Sequence, residues 1–167
     1  MKKILMIIAP ENFRDEECLI PKETFEAAGA DVTIASTESG MKKGMLGAEV
    51  EATISYVDVS IEDYDVIVFV GGTGATVYFE DETAQALARN AAVAHKLVAA
   101  ICISPSILAN AGLLEGKNAT VYESEKANIE SKGAHYTGDN VTVDGNIITA
   151  NGPHASKEFA EKIIELW

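Results

Sequence analysis

Three stretches of the chain are apolar without interruption: 3–9 (KILMIIA, after its lysine), 64–70 (YDVIVFV, after its first two residues) and 97–101 (LVAAI). Runs of this length predict strands buried on both faces. A fourth strand is predicted at 31–36 (DVTIAS). Helical spacing fills the gaps between them. One helix is expected over 14–28, closed by Gly29, with Pro21 confined to its first turns and Glu17 therefore near its start. A second is expected over 81–96, where Ala84, Leu87, Ala88 and Ala91 share one face. A third opens with Ser104 as cap and Pro105 in first position, and ends at Gly112.

The remaining segments are shorter. SGMKKGMLGAEVEATISY predicts a turn and a short alternating edge hairpin, and 119–122 (ATVY) a short strand. A helix over SEKANIESKG, a hairpin over VTVDGNIITA closed at Asp144-Gly145, and a final helix over HASKEFAEKIIEL complete the chain. Buried strands alternating with helices imply a mostly parallel sheet sandwiched by helices, a flavodoxin-like, doubly wound α/β fold. No linker or repeat divides it, so a single domain over 1–167 is expected. Such folds place their sites beyond the carboxyl ends of the strands.

Composition narrows the function. With 13 basic and 26 acidic residues the net charge is -13, which disfavours nucleic acid and anionic membrane as partners. Two cysteines supply neither a disulfide framework nor a thiolate metal site. The opening MKKILMIIAP has too short an apolar run for a signal segment, and nothing approaches a membrane span. A cytoplasmic protein is the expectation.

Cys102 is the most informative residue. It follows one buried strand directly and precedes a helix, the geometry of a nucleophile elbow. A helix amino terminus lowers a thiol's pKa, although cysteine is also among the residues most often simply buried. GGTG (71–74) also follows a buried strand, and its glycines let backbone N–H groups approach a ligand, or serve only a tight turn. No phosphate-binding fingerprint is present, and APENFRDEE lacks the loop that a flavin mononucleotide would need, so no cofactor is expected. Glu17 is one acid among 26, singled out by its place on the rim. His154 lies in a rim loop before the last helix, whereas His95 and His135 lie near element ends. Cys18 has no comparable setting.

Together, KILMIIAPENFRDEECLIP, DVIVFVGGTGA, AAICISPSILANAGLLEGK and VDGNIITANGPHASKEFAEKIIE resemble the PfpI family, which includes intracellular protease-like proteins and the parkinsonism-associated deglycase. The resemblance covers nearly the whole chain. It implies that Cys102 is the nucleophile and Glu17 its acidic partner. Glu17 would then be protonated and donate to the sulfur, because an ionised carboxylate would oppose the thiolate. The N–H groups of Gly72 and Ile103 would form an oxyanion hole. Gly71, Ser104, Tyr122 and His154 are expected on the substrate side, with no metal. On this basis the Cys102 pKa is expected below about 7.

Three departures bear on the activity. Ile103 stands where peptidase-type members carry a histidine, and Tyr122 lies where deglycase-type members place one. Ala27 and Glu26 occupy helix positions where relatives carry basic residues. The expectation is a cofactor-free enzyme acting on small reactive carbonyls, in the manner of a glyoxalase or deglycase. A cysteine peptidase-like hydrolase and a non-catalytic redox sensor are the alternatives. A homodimer or larger homo-oligomer is expected from the resemblance.

Overall fold

In the computed structural model, which describes residues 1–167, twelve strands and five α-helices alternate along the chain. The strands are β1 (Lys3–Ile7), β2 (Glu11–Phe13), β3 (Asp31–Ser36), β4 (Gly40–Gly44), β5 (Glu49–Ala52) and β6 (Ile54–Ser55) in the first part. They continue as β7 (Val66–Phe69), β8 (Leu97–Ile101), β9 (Asn118–Ala119), β10 (His135–Tyr136), β11 (Val141–Asp144) and β12 (Ile147–Ala150). The helices are α1 (Asp15–Ala27), α2 (Glu82–Val93), α3 (Pro105–Asn110), α4 (Lys126–Ser131) and α5 (Ser156–Leu166).

Seven strands form the central sheet in the order β11-β12-β8-β7-β1-β3-β6, parallel throughout except for the β11–β12 pair. Taken in chain order, β1, β3, β7, β8 and β12 stand as 2-1-3-4-5, the flavodoxin-like arrangement. Its switch point falls between β1 and β7. The expected fold is therefore the observed one.

The apolar runs become central strands because both faces are covered. Ile4, Met6 and Ile8 pack with Phe25, Phe159 and Ile163 beneath α1 and α5. Leu5 and Ile7 pack with Leu87, Ile107 and Ile129 beneath α2, α3 and α4. Each such side chain, fully removed from water, contributes roughly 1.5–3 kcal/mol before chain entropy is counted. Phe25 also meets Trp167, with ring centroids 6.2 Å apart, and this contact ties α1 to the end of α5.

Several local expectations are corrected. Pro21 does not lie in the first turn but inside α1, which runs through it. Proline has no N–H to donate, so the carbonyl of Glu17 lacks its ordinary helical partner. The residues of 119–122 add no strand to the central sheet: only Asn118–Ala119 is extended, paired with β10 in a separate two-stranded sheet. The β4–β5 hairpin joins β2 in a small sheet of its own, and β6 takes the edge of the main one. Ser104 does not cap α3. Its hydroxyl donates instead to the Val70 carbonyl at 2.8 Å.

Candidate active site

Three loops meet beyond the carboxyl ends of β1, β7 and β8, next to the switch point. The first opens α1 with three consecutive acids, and each has a different task. The Asp15 carboxylate accepts from the N–H groups of Leu46 and Ala48 at 2.9 and 2.8 Å, which fixes the β4–β5 hairpin over this end of the sheet. Glu16 holds Arg14, accepting from Nε at 3.0 Å. Glu17, fully buried, turns toward the sheet and reaches the loop after β7. Sequence patterning could not separate these three neighbours. Their division of labour depends on what each face of α1 meets.

The second loop is GGTG. The Arg14 N–H donates to the Gly71 carbonyl at 3.0 Å, joining this loop to the start of α1. Both first glycines are required by contact. A Cβ on Gly71 would lie 2.4 Å from Glu17 Oε1 and 2.5 Å from the Cys102 Cβ. Gly72 adopts φ 104°, and a Cβ there would lie 2.3 Å from the Arg14 nitrogen. Backbone can approach this closely only where no side chain intervenes.

Cys102 forms the third element. Its φ is 64°, the left-handed conformation that non-glycine residues rarely adopt. The conformation is held from both sides: the Cys102 N–H donates to Ala150 O at 2.9 Å, and its carbonyl accepts from Tyr122 N at 2.8 Å. Strain held by its surroundings in this way is typical of positions where a side chain must be aimed. The N–H groups of Gly72 and Ile103 face the sulfur, and neither donates to a backbone carbonyl.

Burial dominates the electrostatics. It pushes the Glu17 carboxyl up to about 8, against the opposing pull of the Cys102 thiol, the Arg14 charge and the Gly71 N–H. Neither Glu17 oxygen completes a well-directed hydrogen bond. Burial thus favours the protonated form of Glu17 at neutral pH. The thiol expectation is overturned. Burial first, then the charge of an ionised Glu17, push Cys102 upward, and the Gly72 and Ile103 N–H groups only partly offset them. The helix that was to favour the thiolate has only six residues. Cys18 is buried in the core, and burial pushes its thiol up to about 12.

The sulfur opens onto a pocket of about 220 Å³. Gly72, Thr73 and Ile103 line it beside Cys102, and Arg14, Met45, Tyr122 and Pro153 complete the wall. A larger depression of about 500 Å³ lies beside Pro10, Lys42 and Val77, but neither cysteine lines it. The predicted site residues separate into two groups here. Cys102, Glu17, Gly71, Gly72, Ile103 and Tyr122 come together. Ser104 is fully buried beneath the loop and cannot touch a ligand in the pocket. His154 is exposed and bonds Asn140 at 3.2 Å, and its ring does not line the pocket. Sequence reasoning missed Arg14 and Met45. Met45 carried no signal, since only the hairpin's fold brings it in, but Arg14 lies three residues before Glu17 and could have been considered.

No group of three or more His, Cys, Asp or Glu side chains is placed to hold a metal ion, and no helix is long and apolar enough to cross a membrane.

Comparison with known proteins agrees with this fold. The model of the DJ-1/PfpI family matches residues 2–166. A deglycase of Pyrococcus horikoshii is 33% identical over 98% of this chain and 98% of its own. An uncharacterised protein of Methanocaldococcus jannaschii is 42% identical over 98% of this chain and 81% of its own. The crystal structure of a ThiJ/PfpI domain protein from Brachyspira murdochii superposes with a TM-score of 0.96 at 35% identity, covering 98% of this chain and 95% of that one.

Proposed function

Because the chain belongs to the DJ-1/PfpI family, we propose that it is a cysteine-dependent enzyme acting on small reactive carbonyls, as a deglycase or glyoxalase does. One observation carries the reading. A cysteine in a left-handed backbone conformation lines a small pocket, beside a buried carboxyl and the N–H groups of Gly72 and Ile103, which donate to no backbone carbonyl.

Cys102 and Glu17 act as one acid–base pair. The reacting form of the singly deprotonated pair carries its charge on sulfur and its proton on Glu17. The N–H groups of Gly72 and Ile103 favour that charge on the sulfur. The thiolate adds to the aldehyde carbon, forming the S–C bond as the C=O π pair moves to oxygen. The N–H groups of Gly72 and Ile103 then hold that oxyanion, and Glu17 delivers its proton to it. Glu17 is left as a carboxylate, ready to take a proton in the following step. The pocket's small volume favours two- to four-carbon substrates over a polypeptide.

A peptidase reading is less well supported. It needs a base and acid for the leaving amine, position 103 is isoleucine, and none of His95, His135 or His154 lines the pocket. The test of the proposal is consumption of methylglyoxal, free or as its adduct with an amine, by the wild type and Cys102→Ser. Catalytic loss by the wild type alone is expected, and equal rates would refute it.

A further inference from the structure

The pocket that holds Cys102 has one charged residue in its lining, and it is a cation. That residue is Arg14, in a chain where acids outnumber bases 26 to 13. Its guanidinium is only half engaged. Nε and Nη2 both go to the same Glu16 oxygen, at 3.0 and 2.9 Å, while Nη1 makes no hydrogen bond. The other Glu16 oxygen is buried without a partner, so Glu16 does not use its own capacity to clamp the fork from both sides. The side chain is 31% exposed and therefore reachable by a ligand. Its root is fixed, because the Arg14 N–H is bound to Gly71, the residue between Glu17 and Cys102. A free guanidinium edge is the protein group best matched to a carboxylate.

We infer that Arg14 is a specificity-determining residue, which seats a carboxylate carried by the carbonyl compound so that its aldehyde carbon meets the Cys102 sulfur. The substrate class is then a small aldehyde bearing an acid group, glyoxylate being the simplest probe. The inference deepens the proposed function and rests on Cys102 as the reactive group. The bond-forming step is unchanged, and Arg14 acts by positioning the anion. Glu16 sets the strength of the effect, since its charge competes for the same guanidinium.

Two alkylating agents of nearly equal size separate this from turnover. Iodoacetate carries the carboxylate and iodoacetamide does not. The quantity read is the ratio of their rates at Cys102 in a Cys18→Ser background. Arg14→Gln should lower the ratio about tenfold, with Arg14→Lys between it and the wild type. Glu16→Gln should raise it. A ratio unmoved by all three substitutions would overturn the inference. Should Cys102 resist both reagents, the proposed function fails, and the inference is then decided by titrating glyoxylate into Cys102→Ala and following chemical shifts. There, loss of about tenfold in affinity on adding Arg14→Gln supports it, and equal affinity overturns it.

Discussion

Glu17 and Cys102 meet over a glycine. The carboxyl Oε1 and the cysteine Cβ both lie within 2.5 Å of where a side chain on Gly71 would begin, so the pair exists only because position 71 has none. Gly71→Ala must push one partner away or displace the Ile101 carbonyl, which lies 2.8 Å from the same point. The expected cost is about 1–3 kcal/mol of stability, with a loss of methylglyoxal consumption out of proportion to it. Urea unfolding and the activity assay on the same preparation check both.

The buried carboxyl makes stability depend on pH. Unfolded, Glu17 ionises near its ordinary value of 4.5, but folded it keeps its proton until about 8. Between those values the folded state binds more protons, so its stability falls as pH rises and levels off above about 8. Glu17→Gln removes this dependence. Urea midpoints should show the variant gaining on the wild type across that interval, by about 2–4 kcal/mol at its upper end. Parallel profiles would contradict the buried acid.

Oxidation should distinguish the two cysteines. Cys102 opens onto the pocket, with hydrogen-bond donors around its sulfur, while Cys18 is sealed in the core. Mild peroxide is expected to add two oxygens to Cys102 and none to Cys18, read by peptide mass spectrometry. Reversible oxidation without any turnover would favour the sensor alternative.

His154→Ala should leave methylglyoxal consumption within about twofold of the wild type, as for a surface substitution away from the pocket. Unfolded casein should survive incubation with either protein. Casein cleavage abolished by His154→Ala would restore the peptidase reading.

Much of this was legible in the chain. The run at 97–101 predicts β8 at its observed bounds, and Asp144-Gly145 closes the β11–β12 hairpin as expected. These features are set by local burial and turn chemistry. Glu11–Phe13 was not legible as a strand, because its pairing with β4 is made over a distance and its residues are largely polar. Ser104 looks like a cap by position, but the Val70 carbonyl, which no local pattern reveals, takes its hydroxyl. The direction of the thiol shift was also beyond the sequence. Helix start and acidic partner can be read from spacing, whereas the depth at which the sulfur lies cannot. Met45 entered the pocket unannounced, because only the fold of the β4–β5 hairpin brings it there.

The central claim is that Cys102 and Glu17 titrate as one pair, and the thiolate's ultraviolet absorbance measures it directly in a Cys18→Ser background. Glu17→Gln keeps a donor beside the sulfur and removes the carboxylate whose charge opposes the thiolate. The account predicts that this substitution moves the appearance of thiolate to lower pH, by about one unit or more. Superimposable curves for the wild type and Glu17→Gln would contradict it.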